Sequence, residues 1–422
     1  MKPGGAGRSL RTASLGLLAA QAVSNLAAVV YHRVLSQRLG PAYASLFALI
    51  AVVSVLSNVV LGLNTALVKA FSADLELAGP GAVKGRIRRL LKPGLLSLGA
   101  VTALLLALAA PLAAYLKLPG MAPALTVAVL FSAGVTLLTV RSAQQGLHHF
   151  GWLSFSVGSE GLVRAGACFG AVGVEGGLLA ILAGQGAGFL FAVAGLFGLG
   201  PEPPVAPVLD GDGALGRGIA EGASDTVALT LLALLCYMDV LVLKHHYSDA
   251  RAGLYSRAAL LAKSFLYLPA ALNMVLLAAA ARAKAGGRDP RGLLKRFLLG
   301  ALALDAFGLI VVWIWTPFCM GLLAGPSAAF RTQAMLNLTR WFSLAVVPLG
   351  LLQMVTAYLL AVRARGVVQG LAVLSLVYLG ALRFVWDSEL KVVAALGIVS
   401  LAGLVLGLTL ALLPAPPRAA AA

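Results

Sequence analysis

The sequence predicts an all-α membrane protein whose helices cross the bilayer about twelve times. Three observations lead to this prediction: an apolar composition, long apolar runs, and basic residues clustered in alternate connections. Of the 422 residues, 60% are hydrophobic and 11% are charged, and the mean hydropathy is +0.95. Soluble domains carry about 25% charged residues. So few charges could not cover a surface in water, so lipid must face much of this chain.

Twelve apolar runs reach the length of about 20 residues that a spanning helix needs. We expect the first run to be a retained helix and not a cleaved signal, because it continues to about Tyr31 beyond the cleavage-like Ala20-Gln21-Ala22. The predicted helices lie near residues 12–33, 42–68, 94–116, 121–143, 151–173, 176–199, 218–243, 252–281, 293–317, 332–362, 366–385 and 390–413.

The most hydrophilic connection lies between the sixth and seventh runs and carries four prolines. It predicts an N-terminal six-helix bundle over residues 1–200, a cytoplasmic linker over 201–217, and a C-terminal six-helix bundle over 218–422. The two largest basic connections follow the second and eighth runs. A parallel duplication of six helices, which is common in transporters, would give this pattern.

The distribution of lysine and arginine predicts the orientation of the chain. With the N-terminus inside, the cytoplasmic segments hold 20 basic residues, the outer segments hold 8, and four more fall within helices. Cytoplasmic loops carry an excess of Lys and Arg. We therefore expect both termini in the cytoplasm and an even number of crossings.

Ionisable residues inside the apolar runs are the candidate functional residues. A charge at the bilayer centre costs at least about 2.5–3.5 kcal/mol on insertion scales, so such residues usually line a cavity or pair with one another. Glu160 and Arg164 are four residues apart and could form a structural pair, whereas Arg33 could simply extend to the outer interface. An unpaired Lys263 or Arg340 favours a hydrated cavity that would attract a phosphate or carboxylate.

Several other functions are not supported. The formal net charge of +17 lies in short clusters between apolar runs, which favours lipid head groups or an anionic substrate over nucleic acid. The histidine pairs His148-His149 and His245-His246 lack neighbours at metal-ligand spacing, so we predict no metal. We expect the three cysteines to be small buried hydrophobes. No Walker lysine motif is present, and we predict no cofactor.

Five short stretches resemble, in order, segments of the bacterial polysaccharide flippases. The first contains the leucine-glycine-proline turn of that family followed by a tyrosine, although Ala44 stands where the family more often has glycine. The others resemble the end of helix two, the loop after helix four, the aspartate-bearing end of helix seven and the start of helix eight. The stretches are Arg38–Leu49, Leu61–Lys69, Gln144–Phe150, Tyr237–Leu243 and Gly253–Ala258.

These flippases are one family of the multidrug, oligosaccharidyl-lipid and polysaccharide exporter superfamily. The resemblance implies two six-helix bundles around a central cavity, alternating access, and transport of an undecaprenyl-pyrophosphate-linked oligosaccharide across the bacterial cytoplasmic membrane. A polysaccharide polymerase and glycosyltransferases would be its partners. We predict substrate contacts at Arg33, Lys69, Arg164, Lys263 and Arg340. We predict that Glu160, Asp239 and Asp305 couple an ion or pair with these bases.

Three alternatives remain open at this point. A cation-coupled multidrug exporter of the same superfamily would be expected to have mainly acidic residues in its cavity. A membrane glycosyltransferase or polymer ligase would need more room than the longest polar loops offer, so we expect no enzyme. A scaffold for a polysaccharide machine could be told from a flippase only by an activity assay.

Overall fold

The computed structural model describes residues 3–147, 149–197, 214–266, 289–325 and 332–412, with isolated positions between 272 and 283. Within helices, it leaves the side chains of 3–15, 18, 214–221 and several residues of 61–77 undescribed. The regular elements of the described ranges are all helical. The α-helices are α1 Pro3–Leu39, α2 Tyr43–Ala107, α3 Ala109–Tyr115, α4 Ala122–Gly146, α5 Phe150–Ala167, α6 Gly173–Phe197, α7 Ala214–His246, α8 Asp249–Lys263, α9 Arg291–Ala324, α10 Gln333–Ala361, α11 Val367–Val385 and α12 Glu389–Leu412.

The all-α, many-pass prediction is confirmed. In the described part of the chain, nine segments are long and apolar enough to cross a membrane. One of them, Ala19–Val60, is 42 residues long, about twice what one crossing requires, and the short 3-10 helix Gly40–Ala42 interrupts it. This segment therefore covers most of the first and second predicted crossings. The eighth predicted run, 252–281, is described only as α8, the 3-10 helix Ser264–Leu266 and scattered positions.

The connection after the second predicted run is helical, which the sequence did not predict. The backbone of α2 leaves helical geometry at Gly79, where φ is 76° and ψ is −171°, and Pro80 follows. Glycine tolerates this positive φ, and proline cannot donate the next helical hydrogen bond. The chain turns back here, because Phe71 and Val83 on the two sides of the kink belong to one hydrophobic cluster with Ala143.

The contacts divide the chain into two compact units. The first comprises Met1–Thr230 and Tyr247–Gly253, and the second comprises Leu231–His246 and Leu254–Ala422. In the first, α5 packs against α1 and α6, and α4 packs against α2 and α6. In the second, α10 packs against α9 and α12, and α12 also packs against α11. Most of the predicted linker 201–217 lies outside the described residues, so the predicted domain boundaries stay predictions.

Candidate functional site

In the first unit, Arg164 extends from α5 towards α1. Its Nη2 donates a hydrogen bond to the carbonyl of Ser24 at 3.4 Å, and its guanidinium carbon lies 5.8 Å from the centre of the Tyr31 ring. Its Nε is buried without a hydrogen-bond partner among the described residues. Within that part of the chain, no carboxylate neutralises this arginine. The side chain as a whole is partly exposed, and its Nη1 makes no hydrogen bond among the described residues, so the guanidinium keeps hydrogen-bonding capacity for an anion.

The approach of α1 to α5 positions Arg164. Gly161 lies one turn before Arg164, and a Cβ atom at this glycine would fall 2.6 Å from the Cα of Ser24. Only a glycine lets the two backbones come this close, and the hydrogen bond from Arg164 to Ser24 depends on that approach. The Tyr31 hydroxyl donates to the carbonyl of Gly177 on α6 at 2.9 Å, which holds the ring in place beside the guanidinium.

Glu160 does not pair with Arg164. Its Oε2 instead accepts from Nη1 of Arg141 on α4 at 2.8 Å. Arg141 also donates from Nε to the hydroxyl of Ser156 at 2.9 Å and from Nη2 to the Ser156 carbonyl at 2.8 Å. The structural pair that the sequence suggested therefore forms with a different arginine, because α4 brings Arg141 against α5. Glu160 is neutralised by an arginine, whereas Arg164 has no carboxylate partner among the described residues.

Gln21, Ser24, Asn25 and His32 form a polar stripe along α1, and its members differ in exposure. Gln21 and Asn25 are exposed and bond to each other, with the Gln21 amide nitrogen donating to the Asn25 side-chain oxygen at 3.0 Å. Nδ1 of His32 lies 3.0 Å from the Tyr43 hydroxyl in a ring cluster with Phe47. The N-terminal part of the stripe therefore presents accessible amide groups on the helix that carries Ser24.

The structure says less about the other two predicted substrate contacts of the first unit, Arg33 and Lys69. The side chain of Arg33 is exposed. The side chain of Lys69 lies outside the described residues, and its predicted role stays a prediction. Arginine at the end of a spanning helix can extend to the head-group region, so the exposure of Arg33 fits either a substrate contact or an interfacial anchor.

In the second unit, Asp239 and Lys263 form a buried ion pair. Lys263 Nζ donates to Oδ1 of Asp239 at 2.7 Å, and the Tyr255 hydroxyl donates to Oδ2 at 2.7 Å. Asp239 is 0% and Lys263 4% exposed. Tyr255 and Lys263 are eight residues apart on α8, about two turns, so both reach the same carboxylate on α7. The sequence predicts a substrate contact at Lys263 and ion coupling or pairing with a base at Asp239, and the structure pairs these two residues with each other.

Two further predicted residues lie on α9 and α10. Arg340 donates from Nε to the Thr316 hydroxyl at 3.0 Å, and its guanidinium carbon lies 6.0 Å from the Trp313 ring centre. Asp305 is completely buried, and neither carboxylate oxygen has a hydrogen-bond partner within the described ranges. No contact in the described part of the second unit brings these residues together with Lys263. The described residues around them therefore leave both side chains without a counter-charge.

Sequence reasoning missed a third buried ion pair. Arg86 forms a two-pronged contact with Asp74, through Nε to Oδ2 and through Nη2 to Oδ1, the latter at 3.0 Å. The predicted loop placed both residues in water, but the turn at Gly79-Pro80 brings their helical segments together. The Gly-Pro step was the available signal, because it favours a break with helix on both sides.

The described residues contain no group of three His, Cys, Asp or Glu side chains arranged to hold a metal ion. His149 Nδ1 lies 2.8 Å from the Gly195 carbonyl, and the His246 ring stacks on Trp386 with 4.2 Å between centres. His148 is not described. Cys168 and Cys236 are free and buried, as the sequence predicted, whereas Cys319 is partly exposed.

Comparison with solved structures identifies the fold. The inward-facing form of a multidrug resistance MATE family transporter of the MOP superfamily matches with a TM-score of 0.73 at 12% identity, over 92% of this chain and 94% of that one. The lipid II flippase MurJ in an inward closed conformation matches with a TM-score of 0.71 at 10% identity, over 94% and 87% of the two chains. A MOP superfamily transporter from Pyrococcus furiosus, whose reversed binding-pocket polarity is said to suggest a different function, matches at 0.67 and 12% identity, over 96% and 94%.

No protein-family model and no curated protein sequence matches this chain. The chain therefore has the fold of the MOP superfamily transporters, a group that includes both drug exporters and a lipid flippase.

Proposed function

We propose that this chain is a membrane transporter that moves an anionic, lipid-linked oligosaccharide across the cytoplasmic membrane by alternating access. Arg164 is the observation that carries the proposal. It is an arginine in a helix interior, with no carboxylate partner in the described part of the chain, beside a helix that carries exposed amides. A fixed positive charge in such a place offsets the desolvation of a phosphate group.

The remaining charges support an anionic cargo. Lys263, Glu160 and Asp239 are neutralised by partners of opposite charge, so they leave no net charge for a substrate. In the first unit, Arg164 and the exposed Arg33 provide a basic surplus, and we assign the head-group phosphates to these two residues. The oligosaccharide would cross with them, while the polyprenyl tail stays in lipid. Lys69 is kept as a proposed contact from the sequence resemblance.

Arg164 is tested by transport in vesicles. Purified protein would be reconstituted into liposomes with a labelled undecaprenyl-pyrophosphate-linked oligosaccharide, and the translocation rate measured by enzymatic access to the sugar. We expect Arg164→Gln to slow translocation roughly ten-fold or more, because a charge-assisted hydrogen bond is worth about 1.5–3 kcal/mol. The translocation rate of Arg164→Lys should lie between those of the wild type and Arg164→Gln, since lysine keeps the charge and loses the planar fork.

The matched control is Arg383→Gln, which removes an exposed arginine on α11. It should translocate at the wild-type rate. All variants must first show wild-type elution and melting in detergent. Equal rates for wild type and a correctly folded Arg164→Gln variant would exclude this arginine from cargo recognition. Failure of the wild type to move the lipid would exclude the substrate class.

A second candidate function is a cation-coupled exporter of small molecules. Asp305 favours it, because a buried carboxyl with no protein partner among the described residues can bind a proton or a metal cation. In that case the protein should lower the accumulation of cationic dyes in cells, and Asp305→Asn should abolish the effect. Dye export that depends on Asp305, together with no movement of the lipid-linked sugar, would replace the first proposal with this one.

A further inference from the structure

We propose that the second unit binds one anionic glycerophospholipid on its lipid-facing side, with an acyl chain in the groove between α10 and α12 and the head-group phosphate at Arg340. This molecule is a resident membrane lipid, distinct from the transported cargo. The apolar groove, its length and the charge at its end are the features that point to it.

The groove has a volume of about 500 Å³ and is lined by apolar residues only. This is within the range of roughly 300–1,000 Å³ typical of small-molecule sites. Its floor is the close contact of α10 with α12, where a Cβ atom at Gly397 would lie 3.1 Å from the Cβ of Ala345. Its walls include Trp341, Leu344, Leu390 and Ile398. The shape and chemistry suit a hydrocarbon chain.

The length of the groove fits one leaflet. Along α12 its lining extends from Leu390 to Leu401, eleven residues or roughly 16 Å of helix. The hydrocarbon core of a bilayer is about 30 Å thick, so the groove covers about half of it. Ile398 and Leu401 are 69% and 53% exposed, although they lie in a segment apolar enough to span a membrane. A lipid chain is the ordinary neighbour of such side chains.

Arg340 brings a positive charge next to Trp341, the first residue of α10 that lines the groove. Trp341 lines the groove near the N-terminal end of α10, and its ring meets the Trp313 ring edge-on with 5.8 Å between centres. The guanidinium of Arg340 lies over that same Trp313 ring. Tryptophan concentrates at the level of the lipid head groups, so the two indoles indicate where the head group would sit.

Arg340 is the basic side chain that is available to bind a phosphate at this end of the groove. Its one hydrogen bond within the described residues goes to Thr316, and no carboxylate of the described ranges neutralises it. Lys391, beside the wall residue Leu390, is paired with Asp387 at 2.6 Å. The planar fork of an arginine matches the oxygens of a phosphate. A phospholipid fits better than the polyprenyl cargo, whose chain is much longer than a groove of one-leaflet depth.

Native mass spectrometry of the detergent-purified protein tests the site. The protein would be titrated with phosphatidylglycerol and with phosphatidylcholine of the same acyl chains. We expect one tightly bound phosphatidylglycerol, held roughly ten-fold more strongly than phosphatidylcholine because of its charge-assisted contact with Arg340. Arg340→Gln should abolish this preference. Ala394→Phe, which places a ring in the groove, should remove tight binding of both lipids.

Two matched controls lie outside the groove. Ala402→Phe adds the same ring at an exposed position of α12 that does not line the groove, and Arg383→Gln removes an exposed arginine of α11. Both should bind lipid as the wild type does. Unchanged selectivity in Arg340→Gln, or unchanged binding in a correctly folded Ala394→Phe variant, would overturn the site. Displacement of phosphatidylglycerol by equimolar undecaprenyl phosphate would overturn the phospholipid assignment.

Discussion

At the scale of single residues, the charged side chains inside the fold are of two kinds. Some are paired with a residue of opposite charge and have a structural role, and others are available to a ligand. Lys263 is tied to Asp239, Glu160 to Arg141 and Arg86 to Asp74, each between side chains that are buried or largely buried. A buried pair of this kind gains little when it forms, but removing one partner leaves the other charge uncompensated. Within the described ranges, Arg164, Arg340 and Asp305 have no such partner, and our functional proposals therefore rest on them.

The difference between a paired and an unpaired buried carboxylate predicts different stabilities for two similar substitutions. Asp239→Asn should lower the free energy of unfolding by about 3–5 kcal/mol, because Lys263 would be left buried without its counter-charge. Asp305→Asn loses no hydrogen bond known from the described residues and should change it by less than about 1 kcal/mol. Thermal unfolding of both purified variants in the same detergent checks this, and similar losses of stability in both would contradict it.

At the scale of elements, one helix pair positions the proposed cargo contact. Gly161 lets α1 and α5 approach closely enough for Arg164 to reach the Ser24 carbonyl. A second glycine of α5, Gly166, faces open space, since a Cβ atom added there would meet no heavy atom of the described residues within 4 Å. The same helix thus carries one glycine that the packing requires and one that it does not.

These two glycines predict opposite effects of the same substitution. Gly161→Ala should destabilise the protein by about 1–3 kcal/mol and slow transport, because the added methyl group meets the backbone of α1. Gly166→Ala should be neutral or stabilising by up to about 1 kcal/mol, since alanine favours the helix and meets nothing. Melting temperatures and vesicle transport rates measure both effects. A Gly161→Ala variant as stable and active as Gly166→Ala would show that α1 tolerates displacement.

At the scale of the whole molecule, the fold is that of MOP superfamily transporters, although identity to the solved structures is only 10–14%. Long apolar helices are common to all such chains, because lipid requires every backbone polar group to be satisfied within the spanning segment itself. The basic connections then determine which side of the membrane each end is expected to occupy.

The orientation gives a prediction for the whole chain. A green fluorescent protein fused after Arg418 should fluoresce, and an alkaline phosphatase fused after Lys117 should be active. The reason is the excess of basic residues in the segments that we expect to be cytoplasmic, 20 against 8 in the outer segments. Exchanging the two reporters at the same positions provides the control and should leave both inactive. The opposite pattern of activity would invert the topology.

The sequence by itself determined the helical, many-pass architecture, because the length and polarity of each run are local properties. It also identified Asp239, Lys263 and Asp305 among the buried charges, since an ionisable residue in an apolar run is conspicuous. Only the tertiary structure decided which charge neutralises which. The sequence places Arg141 in a predicted cytoplasmic segment and does not single out Asp74. Inside the fold, Arg141 pairs with Glu160 and Asp74 pairs with Arg86. Pairing depends on which helix faces meet and on the turn at Gly79, and neither can be read from residues considered one run at a time.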